Sequence, residues 1–292
     1  MRLGVLKAAA SAALLAGALA AGVARAQGSH VDLGPDPYVP TPTTVVARML
    51  ELAGIAPGDL VVDLGSGDGR LVIAAARDYG ARGVGFEIDR SLVSEAEAAA
   101  RAAGVAARVR FEARDLFQAD LSEVAVLTLY LLPATNLRLR PKILAEMRPG
   151  ARVVSHQFDL GDWLPDHAER VLAVEDWAGI DRDRLVYLWI VPAKVAGRWT
   201  LLREPSPGTA LALDLDQRYQ HVAARGDPAL APRFAPLRGV EVRFTLPAAS
   251  PFAGEYQGTA ARDAMHGTFV AADGTRGTWR ALREGAAAAV NP

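Results

Sequence analysis

A glycine loop between a buried strand and a helix constrains the fold of this 292-residue chain more than any other feature. The segment reads Val-Val-Asp-Leu-Gly-Ser-Gly-Asp-Gly-Arg over residues 61–70. Glycine has no Cβ atom, so the backbone can turn tightly after the strand and approach a ligand closely. Apolar runs that alternate with helical patterns up to about residue 191 predict a parallel sheet covered on both faces. Such a sheet binds its ligand beyond the carboxyl ends of its strands.

The predicted elements follow two patterns that meet near residues 192–197. Strands alternate with helices before this point, whereas extended segments separated by turns follow it. The predicted strands of the first part are 59–64, 83–88, 108–112, 124–131, 151–156, 171–175 and 185–191. Its predicted helices are 43–53, 69–79, 91–103 and 136–147, and Ser91 is the predicted cap of the third. The extended segments of the second part are 199–203, 211–223, 240–246, 254–259, 267–271 and 278–282.

We therefore expect two domains after the N-terminal segment. The first, over residues 27–193, is α/β, with a Rossmann-like sheet of seven strands and helices on both faces. The second, over residues 197–292, is smaller, antiparallel and β-rich, either a meander or a partly closed barrel. Asp273-Gly274 is its predicted hairpin turn, and Trp199 and Trp279 are expected in its core.

The spacing of the glycines and the acid before them restrict the ligand. A nicotinamide dinucleotide fingerprint would read G-x-G-x-x-G, with the pyrophosphate at the helix N-terminus, whereas Gly65, Gly67 and Gly69 are spaced G-x-G-x-G. Asp63 stands at the end of the preceding strand, and a carboxylate there is poorly suited to a diphosphate. It suits a ligand that carries an ammonium group, contacted directly or through water. A glycine-rich turn without a ligand is the alternative.

Two further acids follow the next strands. Glu87 ends the second strand, where a carboxylate can accept both hydrogen bonds of a ribose diol. Asp115 follows the third strand and can accept a hydrogen bond from an adenine amino group, while Leu116 or Phe117 packs against the ring. The alternatives are a solvated strand end for Glu87 and a helix cap for Asp115.

Together these residues resemble the class I S-adenosylmethionine-dependent methyltransferases, over residues 38–191. The resemblance lies in the glycine motif D-x-G-x-G-x-G and in the acids after the second and third strands. It implies a seven-stranded methyltransferase domain with S-adenosyl-L-methionine as the cofactor. The residues expected to bind this cofactor are Asp63, Gly65, Ser66, Gly67, Gly69, Glu87, Asp115 and Leu116.

Three other segments narrow the resemblance: Pro-Tyr-Val-Pro-Thr-Pro at 37–42, Leu-Tyr-Leu-Leu-Pro-Ala at 129–134 and Val-Val-Ser-His-Gln-Phe at 153–158. With them the chain resembles the protein-lysine methyltransferases of the ATP-synthase c-subunit and adenine-nucleotide-translocase type and their bacterial relatives. This implies that Tyr38 and Thr41 belong to a lid over the cofactor. It also implies that Tyr130 and Pro133 line the channel for methyl transfer. Alternatively, residues 37–42 are only a proline-stiffened lead-in to the first helix.

The resemblance implies N-methylation of lysine side chains in a protein substrate. Absence of an Asn-Pro-Pro-Tyr motif disfavours planar amide or DNA-base acceptors, and a net charge of −1 gives no field that would attract nucleic acid. A membrane protein is one candidate substrate. No general base is assigned, because a lone histidine such as His156 is more often structural. The five histidines lack the spacing of metal ligands, and the absence of cysteine excludes thiol nucleophiles and cysteine-type zinc sites.

The N-terminus has the form of a secretory signal peptide. Arg2 and Lys7 precede an apolar run over residues 8–23, and Ala24-Arg25-Ala26 follows it. We expect cleavage after Ala26 and export to the periplasm. One alternative is that the segment remains as an uncleaved anchor. The other is that the start codon is misassigned and the protein is cytoplasmic.

Export also bears on function, because the cofactor is made in the cytoplasm. It therefore motivates a second hypothesis, that the chain is an exported non-catalytic binding module. A third is a small-molecule methyltransferase in which the C-terminal sheet forms the substrate lid. The oligomeric state is not predicted.

Overall fold

The computed structural model describes residues 38–173, 182–204 and 209–285. The predicted signal peptide lies outside the described residues, as do the last two positions of the predicted sixth strand. None of the helices in the described ranges is long and apolar enough to cross a membrane.

Four helices and seven strands form the first part of the described chain. The helices are α1 (Thr43–Ala53), α2 (Arg70–Tyr79), α3 (Arg90–Ala102) and α4 (Pro133–Glu146). The strands are β1 (Leu60–Leu64), β2 (Arg82–Glu87), β3 (Val109–Ala113), β4 (Val126–Leu129), β5 (Arg152–His156), β6 (His167–Ala173) and β7 (Arg182–Ile190). A short 3₁₀ turn, Leu116–Gln118, follows β3.

The seven strands form one sheet in the order β3-β2-β1-β4-β5-β7-β6. Strands β1 to β5 are parallel, whereas β7 is antiparallel to both β5 and β6. The expectation of a parallel sheet is therefore wrong for β7, which runs antiparallel to both of its neighbours. Only residues 174–181 connect β6 to β7, and a parallel pair needs a longer crossover.

Alternate side chains of the strands face two apolar layers. Val62 and Leu64 of β1 point into a core that contains Leu139 and Ile143 of α4. Val61 lies in the opposite core, which contains α1 residues. This burial on both faces explains why the strands are near-continuous apolar runs, as buried parallel strands are. The predicted α/β class with helices on both faces is confirmed.

Several predicted ends of elements are corrected by local chemistry. Asp89, not Ser91, caps α3, because its Oδ1 atom accepts a hydrogen bond of 2.8 Å from the Ser91 amide. Helix α4 begins three residues earlier than predicted, at Pro133, whose fixed φ angle suits the first turn of a helix. Strand β6 begins at His167, before the predicted residue 171. Its alternating polar residues are those of an exposed edge strand, which a search for apolar runs misses.

The second part is a closed antiparallel barrel of eight strands. They are β8 (Gly197–Glu204), β9 (Ala210–Arg218), β10 (His221–Ala224), β11 (Arg233–Phe234), β12 (Glu241–Leu246), β13 (Gly254–Ala260), β14 (Ala264–Ala271) and β15 (Arg276–Arg283). The barrel closes in the order β10-β11-β12-β13-β14-β15-β8-β9, so full closure replaces the expected meander or partly closed barrel. The predicted segment 211–223 is two strands, because the chain turns at Tyr219, whose φ angle is 56°.

Two sequence expectations for the barrel are confirmed. Asp273-Gly274 lies in the turn between β14 and β15, where the Gly274 amide donates to the Ala271 carbonyl at 2.9 Å. Trp199 and Trp279 are both buried in the barrel core.

The barrel contacts the first part at the end of the sheet where the parallel strands begin. The Ala193 amide donates to the Gly239 carbonyl at 2.7 Å, and Gly239 packs against Gly150, just before β5. Along the side, Asp162 of the loop after β5 accepts hydrogen bonds from Arg218 and Tyr219 of the barrel. Strands β1 to β5 end at the edge opposite the Ala193–Gly239 contact, and a substrate lid made by the C-terminal sheet stays an untested alternative.

Candidate functional site

The predicted site residues converge because they follow parallel strands that end at one edge of the sheet. In the strand register, Leu64 of β1 lies beside both Phe86 of β2 and Leu129 of β4. Leu129 in turn lies beside Ser155 of β5. The segments after β1, β2, β4 and β5 therefore meet at this edge, and each contributes a part of the site.

The glycine loop needs glycine for its conformation and for its packing. Gly65, Gly67 and Gly69 have φ angles of 77°, 51° and 78°, in the left-handed region that other residues rarely adopt. A Cβ atom on Gly67 would lie 2.3 Å from Cε2 of Tyr38, and one on Gly65 would lie 2.8 Å from Cδ2 of Leu131. Tyr38 and Leu131 therefore pack against the loop too closely for a side chain at either glycine.

Glu87 is fixed at the end of β2 by three backbone amides. Its Oε2 atom accepts from the Gly67 amide at 2.9 Å, and Oε1 accepts from Ile88 at 2.8 Å and Asp89 at 3.0 Å. Each carboxylate oxygen has two acceptor sites, so the three amides leave one free site, on Oε2, for a ribose hydroxyl. Glu87 thus holds the glycine loop, and its ribose contact stays a prediction.

Asp63 is a buried carboxyl group at the end of β1, with 3% of its surface exposed. Desolvation by burial raises its pKa to about 7, and the nearby Asp68 and Glu87 charges add to this. The hydroxyl of Thr128, which donates to Oδ1 at 2.7 Å, opposes the rise. A bound ammonium group would favour the ionised carboxylate, so Asp63 fits the cationic end of the predicted cofactor.

Asp115 caps the 3₁₀ turn after β3, since its Oδ1 atom accepts from the Phe117 amide at 2.9 Å. Asp115 therefore acts as a helix cap, as the alternative interpretation stated. Its hydrogen bond to the adenine amino group stays a prediction. The packing of the half-buried Leu116 against the adenine ring also stays a prediction. Ser66 is buried, its amide donates to the Phe86 carbonyl at 3.0 Å, and its hydroxyl lies against Gly85. The Ser66 side chain therefore packs between β1 and β2, and its cofactor contact also stays a prediction.

The segment over residues 38–42 packs onto the glycine loop. The Tyr38 ring covers Gly67 and is 46% exposed. The Arg70 guanidinium donates to the Thr41 carbonyl at 2.8 Å and pairs with Asp68 of the loop at 2.5 Å. Residues 38–42 lead directly into α1, as expected for a proline-stiffened lead-in to that helix. The same segment also brings Tyr38 and Thr41 next to the glycine loop.

Aromatic rings line the neighbouring strand ends. The Tyr130 ring, after β4, lies 3.9 Å from the His156 ring and 6.5 Å from the Phe158 ring, measured between centroids. Pro133 is the first residue of α4, just beyond Tyr130. Burial lowers the pKa of His156 to about 3, so the imidazole is neutral and too weak a base to accept a proton from an ammonium group.

Sequence reasoning missed two contributors to the site. Phe158 stood in the His-Gln-Phe segment that supported the narrower resemblance, and an aromatic residue just after β5 was the available signal. Thr128 gave a weaker signal, as a single hydroxyl in the apolar run of β4. Across the described ranges, no group of histidine, aspartate and glutamate side chains could hold a metal ion.

Comparison with known proteins identifies the family. A family described as the ANTKMT methyltransferase domain matches residues 63–167, which include the glycine loop and the ends of β1 to β5. The protein-lysine N-methyltransferase of Saccharolobus islandicus is 42% identical over 156 residues, which are 53% of this chain and 93% of that relative. The chain belongs to this methyltransferase family. It is an S-adenosyl-L-methionine-dependent enzyme, so the family does not favour the alternative of a non-catalytic binding module.

Other relatives of the methyltransferase are matched over a smaller share of their length. The ATP synthase c-subunit lysine N-methyltransferase of Xenopus laevis is 37% identical over 45% of this chain and 57% of its own. The adenine nucleotide translocase lysine N-methyltransferase of Mus musculus is 38% identical over 44% and 56%. The chain thus spans little more than half of these two relatives. A solved RNA methyltransferase from Salinibacter ruber, in complex with S-adenosyl-L-homocysteine, is 52% identical over 54% and 96%, with a TM-score of 0.48.

Proposed function

We propose that this methyltransferase N-methylates lysine side chains of a protein substrate. The observation that carries the proposal is the aromatic group of Tyr130, His156 and Phe158 beside the glycine loop. The ring faces of tyrosine and phenylalanine can pack along the apolar stem of a lysine side chain and exclude water from its amine. The Saccharolobus, Xenopus and Mus relatives are all named as lysine N-methyltransferases, which supports the same acceptor.

We infer separate tasks for the two sides of the site. On one side, Asp63, Glu87 and the glycine loop would hold S-adenosyl-L-methionine, which supplies a methyl group on a sulfonium. On the other, the aromatic rings would hold the alkyl stem of the lysine and exclude water. The protein then acts mainly by positioning and desolvation.

The lysine must be neutral before it can attack. Its reference pKa is about 10.4, and an apolar, water-poor channel lowers the pKa of an amine. We infer that the ammonium proton leaves to solvent as the side chain enters, since the neutral His156 is too weak a base to take it. The cofactor held by Asp63, Glu87 and the glycine loop would supply the methyl group to this neutral amine.

The acceptor is tested by incubating extracts of the native host with isotopically methyl-labelled cofactor and the full chain. We expect label in a polypeptide, on lysine after hydrolysis, and no label above background with the matched Glu87→Ala variant. Label confined to RNA, or to small metabolites, would contradict the protein acceptor. Separate membrane and soluble fractions decide whether the substrate is a membrane protein.

Export stays part of the proposal. It is supported by the basic head, the apolar run and the Ala-Arg-Ala end of residues 1–26. N-terminal sequencing of the protein isolated from its host tests this point. A start at Gln27 is expected, and an intact Met1 would be against cleavage.

A further inference from the structure

His156 lies where two parts of the site meet. It is the last residue of β5 and is completely buried. Its ring lies 3.9 Å from that of Tyr130, at an angle of 34°. Its Nδ1 atom lies 3.3 Å from Oγ1 of Thr41, in the segment that covers the glycine loop. One side chain therefore touches both the predicted lid and the predicted channel.

The Thr41 side of this contact is tied to the cofactor loop. Thr41 is itself buried, and its carbonyl accepts the hydrogen bond from Arg70. Arg70 pairs with Asp68, between Gly67 and Gly69. A displacement of the glycine loop would consequently move Thr41 and, through its hydroxyl, the imidazole.

The chain after His156 is held in an unfavourable conformation. Gln157 has a φ angle of 67°, which is uncommon for a residue other than glycine, and the Phe158 amide donates to the His156 carbonyl at 2.8 Å. The Phe158 carbonyl is held by the Ser155 hydroxyl at 2.6 Å and by Asn136 of α4 at 3.3 Å. Such strain persists where the surroundings over-determine it, often at functional sites. Here it places the Phe158 ring in a stacked arrangement with Tyr130.

Stability alone does not explain a histidine at this position. Its Nε2 atom is buried without a hydrogen-bond partner among the described residues. An unsatisfied buried polar atom destabilises a fold, and an apolar ring of similar shape would avoid the loss. The atom that a phenylalanine could not replace is Nδ1, which contacts Thr41.

We propose that His156 is a positioning residue that sets the orientation of the Tyr130 ring according to the docking of Thr41. When the segment over residues 38–42 lies on the glycine loop, the Thr41 hydroxyl fixes the imidazole, and the imidazole fixes Tyr130 by the contact between their tilted rings. The acceptor side of the site is then ordered only when the cofactor side is covered. This inference rests on the proposed function for what Tyr130 contacts.

Three variants test the link in the full chain: Thr41→Val, which keeps the volume but removes the hydroxyl, His156→Phe, which keeps a ring but removes Nδ1, and their combination. We expect each single variant to lower kcat about tenfold, as a misplaced ring would, with KM for the acceptor and the melting temperature little changed. The double variant should lose no more than the worse single variant, since both break one contact. Thr41→Ser, which keeps the hydroxyl, should restore kcat.

If the two losses of kcat multiply in the double variant, the two side chains act independently and the proposal is overturned. A loss of kcat that goes with a lowered melting temperature would also overturn it, because it would indicate a merely structural role. A pH profile of kcat that loses a limb in His156→Phe would also overturn it, because it would indicate a base. A crystal structure of Thr41→Val with S-adenosyl-L-homocysteine tests the geometry without any acceptor. A displaced Tyr130 ring supports the link, and an unmoved ring contradicts it, even if the acceptor proves not to be lysine.

Discussion

Thr128 and Asp63 meet across the boundary of β1 and β4, with the threonine hydroxyl donating to the aspartate Oδ1 atom at 2.7 Å. Both side chains are buried, and this hydrogen bond is the one described contact that lowers the pKa of Asp63 against desolvation. A carboxyl group with a pKa of about 7 at the predicted ammonium site links cofactor binding to pH.

Cofactor affinity should fall as the pH is lowered through about 7. The cationic cofactor binds the ionised form of Asp63, so below the pKa binding must first displace a proton, and the dissociation constant should rise up to tenfold per pH unit. Calorimetry with S-adenosyl-L-methionine between pH 5.5 and 8.5 measures this. Asp63→Asn should bind weakly with no such dependence, and a wild-type affinity that is constant over the range would contradict the assignment.

Thr128→Val should weaken cofactor binding near neutral pH and leave it almost intact at higher pH. Removal of the hydroxyl removes the hydrogen bond to the charged form, so the pKa of Asp63 rises above about 7. Valine preserves the volume of the side chain, which keeps the β4 packing. The pH midpoint of binding, determined as for the wild type, is the measurement. A midpoint that does not move upward would show that Thr128 does not control this carboxyl group.

Without cofactor, the stability of the protein should decrease as the pH rises from about 4 to about 7. The folded state keeps Asp63 protonated over this range while the unfolded chain ionises it at its ordinary pKa of 3.8, so the folded state binds more protons. The decrease is up to about 4 kcal/mol in the free energy of unfolding. Urea unfolding across this range, compared with Asp63→Asn, isolates the contribution. Parallel curves for the two proteins would rule it out.

Gly67→Ala should abolish cofactor binding at micromolar concentrations. The new Cβ would lie 2.3 Å from the Tyr38 ring, at a φ angle of 51° that disfavours alanine by roughly 1–2 kcal/mol. Gly54→Ala is the matched control, since its φ angle is 57° and nothing lies within 4 Å of its Cβ position. The control should lose similar stability and keep full binding. Equal binding by both variants would show that Gly67 matters only for backbone conformation.

Gly239→Ala should disturb the seating of the barrel without weakening cofactor binding. A Cβ there would lie 2.8 Å from Cα of Gly150, at the edge of the sheet opposite the site. We expect faster cleavage near residues 191–197 in limited proteolysis, with an unchanged dissociation constant for S-adenosyl-L-methionine. Gly54→Ala again controls for the φ angle. A large loss of affinity would mean that the barrel contributes to the cofactor site.

The sequence by itself determined the α/β class, the glycine loop, and the acids at the ends of β1 and β2 and after β3. These features can be predicted from residues that are close together in the sequence. Glycine permits left-handed φ angles wherever it stands, and the end of an apolar run marks the end of a buried strand. A parallel arrangement then brings strand ends together without further information.

Only the tertiary structure decided the contacts between distant segments: the Tyr38 ring over Gly67, the Thr41 hydroxyl at His156, and the barrel at the amino end of the sheet. It also decided the antiparallel direction of β7 and the full closure of the barrel. Such contacts join residues far apart in the chain, and each depends on the strand register and on the packing of whole layers. The pKa of Asp63 belongs to the same group, since a carboxylate written in a sequence has no burial until the layers around it have closed.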